Sequence, residues 1–315
     1  MGRNGPHDIG GRSRAMIFDK DNPQIMFTAA VSGGIFKSTN GGRSWNPVDD
    51  KLNNLAVVSL HQSADGTIYA GTGEGLYYGN FGSGSGGILG AGMYKSTDGG
   101  NTFTQIPSTI PSGNGFEDWT AVGKLGSDPN NAQRLYAATA GGLKVSDDGG
   151  NTWQDAISGR RVSTDMTVTA SGTVWVKQGV SIYKSTTGDP GSFTVMNDAV
   201  MVENNNRMRI AVAPTDENYV YVISTDENGN FFEAYQSTDA GSTWRVIGSR
   251  NQLLNPHRGQ GSFNNALAVD PKDKERIIVG GVTFWEWSES NGWLQIATLS
   301  RFSLFFYVHA DNHNI

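Results

Sequence analysis

The stretch at 94–103 reads "YKSTDGGNTF", and "KVSDDGGNTW" at 144–153 nearly repeats it. Two further copies are "FKSTNGGRSW" at 36–45 and "YQSTDAGSTW" at 235–244, with a looser one, "YKSTTGDPGSF", at 183–193. A polar, glycine-bearing turn that recurs on this scale marks a repeat architecture before any chemistry is considered. Around each turn the same order of short runs returns. An apolar run such as "AMIFD" comes first, then a β-branched and aromatic one such as "TIYAGTG". A third, such as "GMYKS", leads into the turn, and a short fourth, such as "TWRVI", starts at its closing aromatic.

Four short strands per unit in up-and-down order make a propeller blade. The sequence therefore predicts an all-β propeller of four-stranded antiparallel blades, six complete and a seventh begun. The expected blades span approximately 10–49, 55–107, 119–157, 163–197, 207–248 and 263–297, with the seventh opening at 308 in "VHADNHNI". One repeat array of this kind can hold the whole length of 315 residues as a single domain. The abrupt end at Ile315 predicts a C-terminally incomplete propeller, or six closed blades with an extra strand.

Glycine at 42 of 315 residues falls mostly in turns between apolar runs, which favours a β fold over disorder. A net charge of −6 argues against a nucleic-acid-binding surface. The absence of cysteine rules out disulfides and thiolate chemistry in this chain. The most apolar run, "FSLFFYV" at 302–308, is much shorter than the roughly 20 residues of a spanning helix. No signal-peptide pattern is visible at the N-terminus.

The repeated turn has a mechanical reading. The aspartate position can accept hydrogen bonds from amides of its own turn. The following glycine supplies a backbone conformation that a Cβ would hinder. The closing aromatic is expected between neighbouring blades. Ser38, Asn40 and Trp45, then Ser96, Asp98 and Phe103, Ser146, Asp148 and Trp153, and Ser237, Asp239 and Trp244 are accordingly read as scaffold. A degenerate sixth copy is centred on Ser288.

The pattern S-x-D-x-G-x-T-W resembles the Asp-box, or BNR repeat, of sialidases, sortilin-type receptors, xyloglucanase-type glycoside hydrolases and many secreted bacterial propellers. The resemblance covers about residues 8–315, with "GPHDIGGRSRAMIF", "AAVSGGIFKSTNGGRSW" and "VHADNHNI" most similar to exported Bacteroidetes-type BNR proteins. It implies a propeller placed outside the cell or on its surface, without fixing a reaction. In the xyloglucanase-type family a catalytic Asp stands before a Gly-Gly in the first blade, whereas "AAVSGGIFK" puts Val31 there. The F/Y-R-I-P segment usual in sialidases is missing. No catalytic residue is therefore assigned.

Binding residues are expected on the blade ends opposite the repeated turns, where the long connections lie. These bring Phe116, Trp119, Arg160, Arg161, Arg207, His257, Arg258 and Phe263, an aromatic and polar set suited to sugars or to a protein. Glu117, Asp118 and Glu203 are acids on the same end, but nothing in the sequence pairs them. Arg12 and Arg14, with His309, Asp311 and His313, are expected on first strands near a central channel. The His–Asp–His alternation offers a weaker reading as a divalent-metal site, and otherwise no cofactor is expected. The function expected is a non-catalytic recognition propeller, exported or surface-displayed, for a glycan or protein. The alternatives are a glycoside hydrolase with a noncanonical carboxylate pair, and a structural subunit of a cell-surface or virion assembly.

Overall fold

A computed structural model describes residues 13–48, 52–74, 87–113, 117–159, 161–197, 207–250, 254–298 and 306–307. Among them there is no α-helix, and every regular element beyond single 3-10 turns is a strand. The first sheet runs β1 (Ser13–Phe18), β2 (Met26–Ala30), β3 (Gly34–Ser38) and β4 (Asn46–Pro47). The second has β5 (Val57–Gln62), β6 (Ile68–Thr72), β7 (Met93–Ser96) and β8 (Thr104–Gln105). The third has β9 (Val122–Asp128), β10 (Asn131–Thr139), β11 (Gly142–Ser146) and β12 (Gln154–Asp155).

The fourth sheet comprises β13 (Ser163–Val168), β14 (Val174–Gln178), β15 (Ser181–Ser185) and β16 (Thr194–Val195). The fifth comprises β17 (Met208–Val212), β18 (Val220–Thr225), β19 (Phe231–Ser237) and β20 (Arg245–Ser249). The sixth contains β21 (Ala266–Asp270), β22 (Asp273–Gly280), β23 (Phe284–Ser288) and β24 (Gly292–Thr298). Within each sheet these four strands pair antiparallel in sequence order, so the sheets are propeller blades. A fifth strand, β25 (Phe306–Tyr307), joins the sixth sheet in parallel beside β24. The seventh blade expected from 308 lies outside the described residues. The first three blades form one compact unit and the last three another.

Second strands are the most apolar because both their faces are covered. Every residue of β2, β6, β14 and β18 is buried. In the first unit Ala15, Phe27, Ala29 and Ile35 of the first blade pack with Val57, Ile68, Tyr94 and Phe103 of the second. In the second unit Trp175 and Ile182 pack with Val222, Tyr235 and Trp244 of the next blade. The rings of Trp175 and Trp244 meet edge-on at 6.5 Å.

The repeated turns lie between third and fourth strands. In "SDDGG" the Ser146 hydroxyl donates to Asp148 Oδ1 at 2.8 Å and accepts from Gly150 N at 2.9 Å. Asp148 also accepts from the Thr152 amide and hydroxyl. Ser96, Asp98 and Thr102 repeat this set, as do Ser237, Asp239 and Thr243. In the first copy Asn40 accepts from Ser38 and from the Ser44 amide, and it donates to the Ser44 hydroxyl. The looser fourth copy closes differently, through Ser185 and Ser192 hydroxyls 2.5 Å apart. Hydrogen bonds from Thr152 and Ser146 hold the Asp148 carboxyl down at about 2, and the same kinds of bond lower Asp98 and Asp239.

Two of these turns are also inter-blade joints. Gly100, at φ +75°, sits on Phe27 of the preceding blade, where an added Cβ would fall 2.2 Å from the ring. Gly241, at φ +87°, sits on Trp175 in the same way, with 2.5 Å available. Lysines of the preceding blade reach over these joints. Lys37 donates to Gly99 O and Asn101 Oδ1 while covering Phe27 at 5.5 Å. Lys184 donates to Ala240 O and covers Trp175 at 5.2 Å.

The other ends of the blades carry a second repeated device that is not visible as a motif. In β1, β5, β9 and β13 the pairing to the second strand slips by one residue near the start. The residue left out is Arg14, Val58, Gly123 and Thr164, respectively. Such bulges bend the strand and re-aim a side chain.

Candidate functional site

Polar and charged side chains accumulate at this bulged end, and the two units use different sets. In the first unit Arg14, released from the ladder by its bulge, makes a buried ion pair with Glu74, which follows β6. The Glu74 amide donates to Ile88 O, tying the pair to the end of the glycine-rich insertion. A second group lies before β9. There the Glu117 carboxylate accepts from the Ser112 amide and hydroxyl at 2.7 and 3.0 Å. Lys144 binds both Asp118 and Asp155 at 2.5 Å. Trp119 is half-buried, its ring edge-on to Trp153 at 5.0 Å.

In the second unit Asp165, the residue just after the β13 bulge, faces Lys177 across the strand pair. It accepts from Arg209 Nη1 at 2.9 Å and from the Ile210 amide at 2.8 Å, which joins the fourth blade to the fifth. Arg209 Nε donates to Asn265 O at 2.6 Å, reaching the sixth blade. Burial and the neighbouring Arg207 push Lys177 down to about 8, while Asp165 acts in the opposite direction. Arg207 donates to the carbonyls of Gly261 and Ser262. Three successive blades are thus stapled by buried charge.

The residues expected to bind ligand divide into three groups. Arg258, at φ +47°, and Arg161 are exposed, and Phe263 and Trp119 are half-buried. Arg207 and His257 are 4% and 0% exposed, so they do not stand on a rim. Arg207 is drawn in by backbone carbonyls, and His257 fills the space under its own connection. Phe116, Arg160, Arg12, His309, Asp311 and His313 lie outside the described residues, as does Glu203. Among the described residues no cluster of three metal-ligating side chains occurs.

Sequence reasoning missed Glu74, Asp165, Lys177 and Arg209. Three of them carried a signal, a charge inside an otherwise strand-like run: "STDMTV", "VWVKQ" and "RMRIAV". A charge at a position whose neighbours are buried needs a partner on another element. Which partner it finds depends on blade packing, which the local sequence does not encode.

The described side chains at this end present hydrogen-bonding and charged groups. Two residues before the Gly33-Gly34 pair of the first blade stands Val31, 2% exposed, and it can transfer no proton. Glu117 and Asp118 are both engaged as acceptors. Asp165 is buried within its staple.

No protein-family model matches the chain. A xyloglucanase of Acetivibrio thermocellus, Xgh74A, is 23% identical over 274 residues, 82% of this chain and 28% of that enzyme. A xyloglucanase of Hypocrea jecorina is 25% identical over 316 residues, 94% of this chain and 34% of the enzyme. The chain thus spans about a third or less of these relatives' length. Among solved structures, the GH74 xyloglucanase from Xanthomonas campestris aligns with a TM-score of 0.67 at 17% identity, covering 91% of this chain and 47% of that one. YCF48 bound to D1 peptide aligns with a TM-score of 0.58 at 16% identity, covering 90% and 82%. These likenesses agree with the strand order in giving a β-propeller similar to the xyloglucanase-type hydrolases.

Proposed function

We propose that this chain is a glycan-recognition propeller that acts outside the cell, binds a xyloglucan-like polysaccharide and does not itself cleave it. The glycan part is supported by the likeness to xyloglucanases over most of the chain. The non-cleaving part is carried by one observation, the buried Val31 at the position where the xyloglucanase-type resemblance implies an acid. Glycoside hydrolysis commonly needs two carboxylates placed about the bond. Glu117, Asp118 and Asp165 are held by Ser112, Lys144 and Arg209 instead. In the second unit Arg161, Arg258 and Phe263 offer exposed donors and an aromatic edge, a set that fits sugar hydroxyls and ring faces.

The test is calorimetric titration with xyloglucan oligosaccharides, run beside an assay of reducing ends released from the polymer. Binding without release supports the proposal. Release that disappears in Glu117→Gln or Asp118→Asn would replace it with the hydrolase reading. A second reading, a peptide ligand, is favoured by the 82% coverage of YCF48, a chain of similar extent. Affinity for extended peptides with none for glycans would select it. Neither affinity, together with stable self-assembly, would point to a structural subunit.

A further inference from the structure

The connection between the fifth and sixth blades, residues 254–265, is built around His257. Its imidazole is fully buried, and neither ring nitrogen reaches hydrogen-bonding geometry with a described side chain. Two glycines make room for the ring. A Cβ on Gly281 would fall 2.8 Å from His257 Cδ2, and one on Gly261 3.1 Å from Cγ. Phe231 of β19 packs over it with ring centroids 5.9 Å apart.

The backbone on either side of His257 is the joint itself. Pro256 O accepts from the Val282 and Thr283 amides, and Gly261 N donates to Gly229 O. Closed in this way, the connection places Arg258 outward and Phe263 half-exposed at the end of the blades.

We infer that His257 is a proton-operated latch: protonating its ring beside Arg207 releases the 254–265 connection from the fifth and sixth blades. The physical conflict is local and follows from what faces the ring. The segment leading into β17 brings the Arg207 guanidinium. The turn between β18 and β19 carries Asp226, whose carboxylate accepts from the Asn228 and Asn230 amides of its own turn. Phe231 of β19 and Gly281 after β22 bring no charge, and Arg258 of the connection itself is exposed. The Asn265 amide lies beside the ring and is neutral. An imidazolium at this position would therefore be a second buried cation near the first, and none of these described side chains turns a carboxylate toward it.

Burial, with Arg207 adding to it, pushes the imidazole down to about 3, and the Asn265 amide opposes this more weakly. An opened connection returns the ring to water, where it binds a proton near 6.5. The opened form therefore takes up a proton that the closed form refuses. As pH falls below about 6.5, the opening equilibrium gains up to about tenfold per pH unit. Above that value both forms are neutral and the pH dependence vanishes.

The test is native-state hydrogen exchange of the full chain, read on peptides from 254–265 between about pH 7.5 and 4.5 and corrected for intrinsic amide chemistry. The expected result is a constant opening equilibrium above about 6.5 and a rise toward tenfold per unit below it, while β18 peptides stay protected. His257→Phe and His257→Gln should both flatten that dependence. Direct titration of the His257 ring by NMR in the unmodified protein covers the case in which neither variant folds. A ring that titrates in the closed protein above about 6 would overturn the latch. So would a 254–265 segment whose opening ignores pH, or a pH dependence unchanged in a folded His257 variant.

Discussion

The two ends of a blade are built on opposite principles. At one end the same serine, acid and glycine close the turn in copy after copy, and most of their hydrogen bonds stay within five residues. At the other, four first strands share a bulge, but what surrounds it is particular to each place. Arg14 meets Glu74, Asp165 meets Arg209, and His257 meets two glycines. Redundancy at one end leaves the other free to differ. A scaffold whose joints are local and repeated tolerates singular chemistry elsewhere.

That contrast can be broken experimentally, starting with the largest expected effect. Asp165→Ala leaves the Arg209 guanidinium buried without its carboxylate and should cost about 3–5 kcal/mol in denaturant unfolding. A loss below 1 kcal/mol would mean that the charge staple is decoration. Gly241→Ala must accept φ +87° and a methyl against Trp175, for an expected loss of about 2–4 kcal/mol. The same change at Gly99, which has φ +71° but open space beside it, should cost only about 1 kcal/mol. Equal losses at the two positions would show that backbone strain, and not the inter-blade joint, sets the requirement for glycine.

Ser146→Ala removes a buried hydroxyl that both donates and accepts, and about 1–3 kcal/mol should be lost. Arg245→Ala, at the half-exposed pair with Glu289, should change stability by less than about 1 kcal/mol, and less still in high salt.

Acid adds a second comparison, because a buried histidine and the turn carboxylates respond in different windows. His61 is pushed down to about 4, chiefly by burial and further by Lys124, while its Nε2 pairs with Ser127 Oγ at 2.8 Å. Its folded state is neutral, so its contribution is complete above about 6.5 and falls by at most about 1.4 kcal/mol per unit as pH drops toward 4. The turn carboxylates have the opposite sign of charge but the same direction of loss. Asp148, at about 2, contributes above its ordinary value of 3.8 and fades only between 3.8 and 2. Thermal melts across pH should therefore show a first decline that His61→Phe lessens and a later one that Asp148→Asn lessens. A single decline insensitive to both changes would contradict this order.

The legibility of the molecule follows the same division. The turns were readable because serine, aspartate and glycine within five residues carry their own hydrogen-bond logic. The apolar second strands were readable because both faces are covered. The bulged ends were not, because Asp165 and Arg209 are 44 residues apart in the chain and meet only once two blades have packed. Arg207 stands just before β17 and His257 in the connection before β21. Their burial was not legible, since it depends on Gly261 and Ser262 carbonyls in one case and on Gly261 and Gly281 in the other.

The bulges have a consequence for how such a protein can change. A residue outside the ladder is excused from the pairing that fixes its neighbours, so replacing it leaves the backbone bonds of the blade intact. Arg14, Val58, Gly123 and Thr164 already show a cation, an aliphatic, a bare backbone and a hydroxyl at equivalent places. All four addresses are buried, so what limits variation there is the packing around each and, at Arg14, the Glu74 carboxylate, and not the strand ladder.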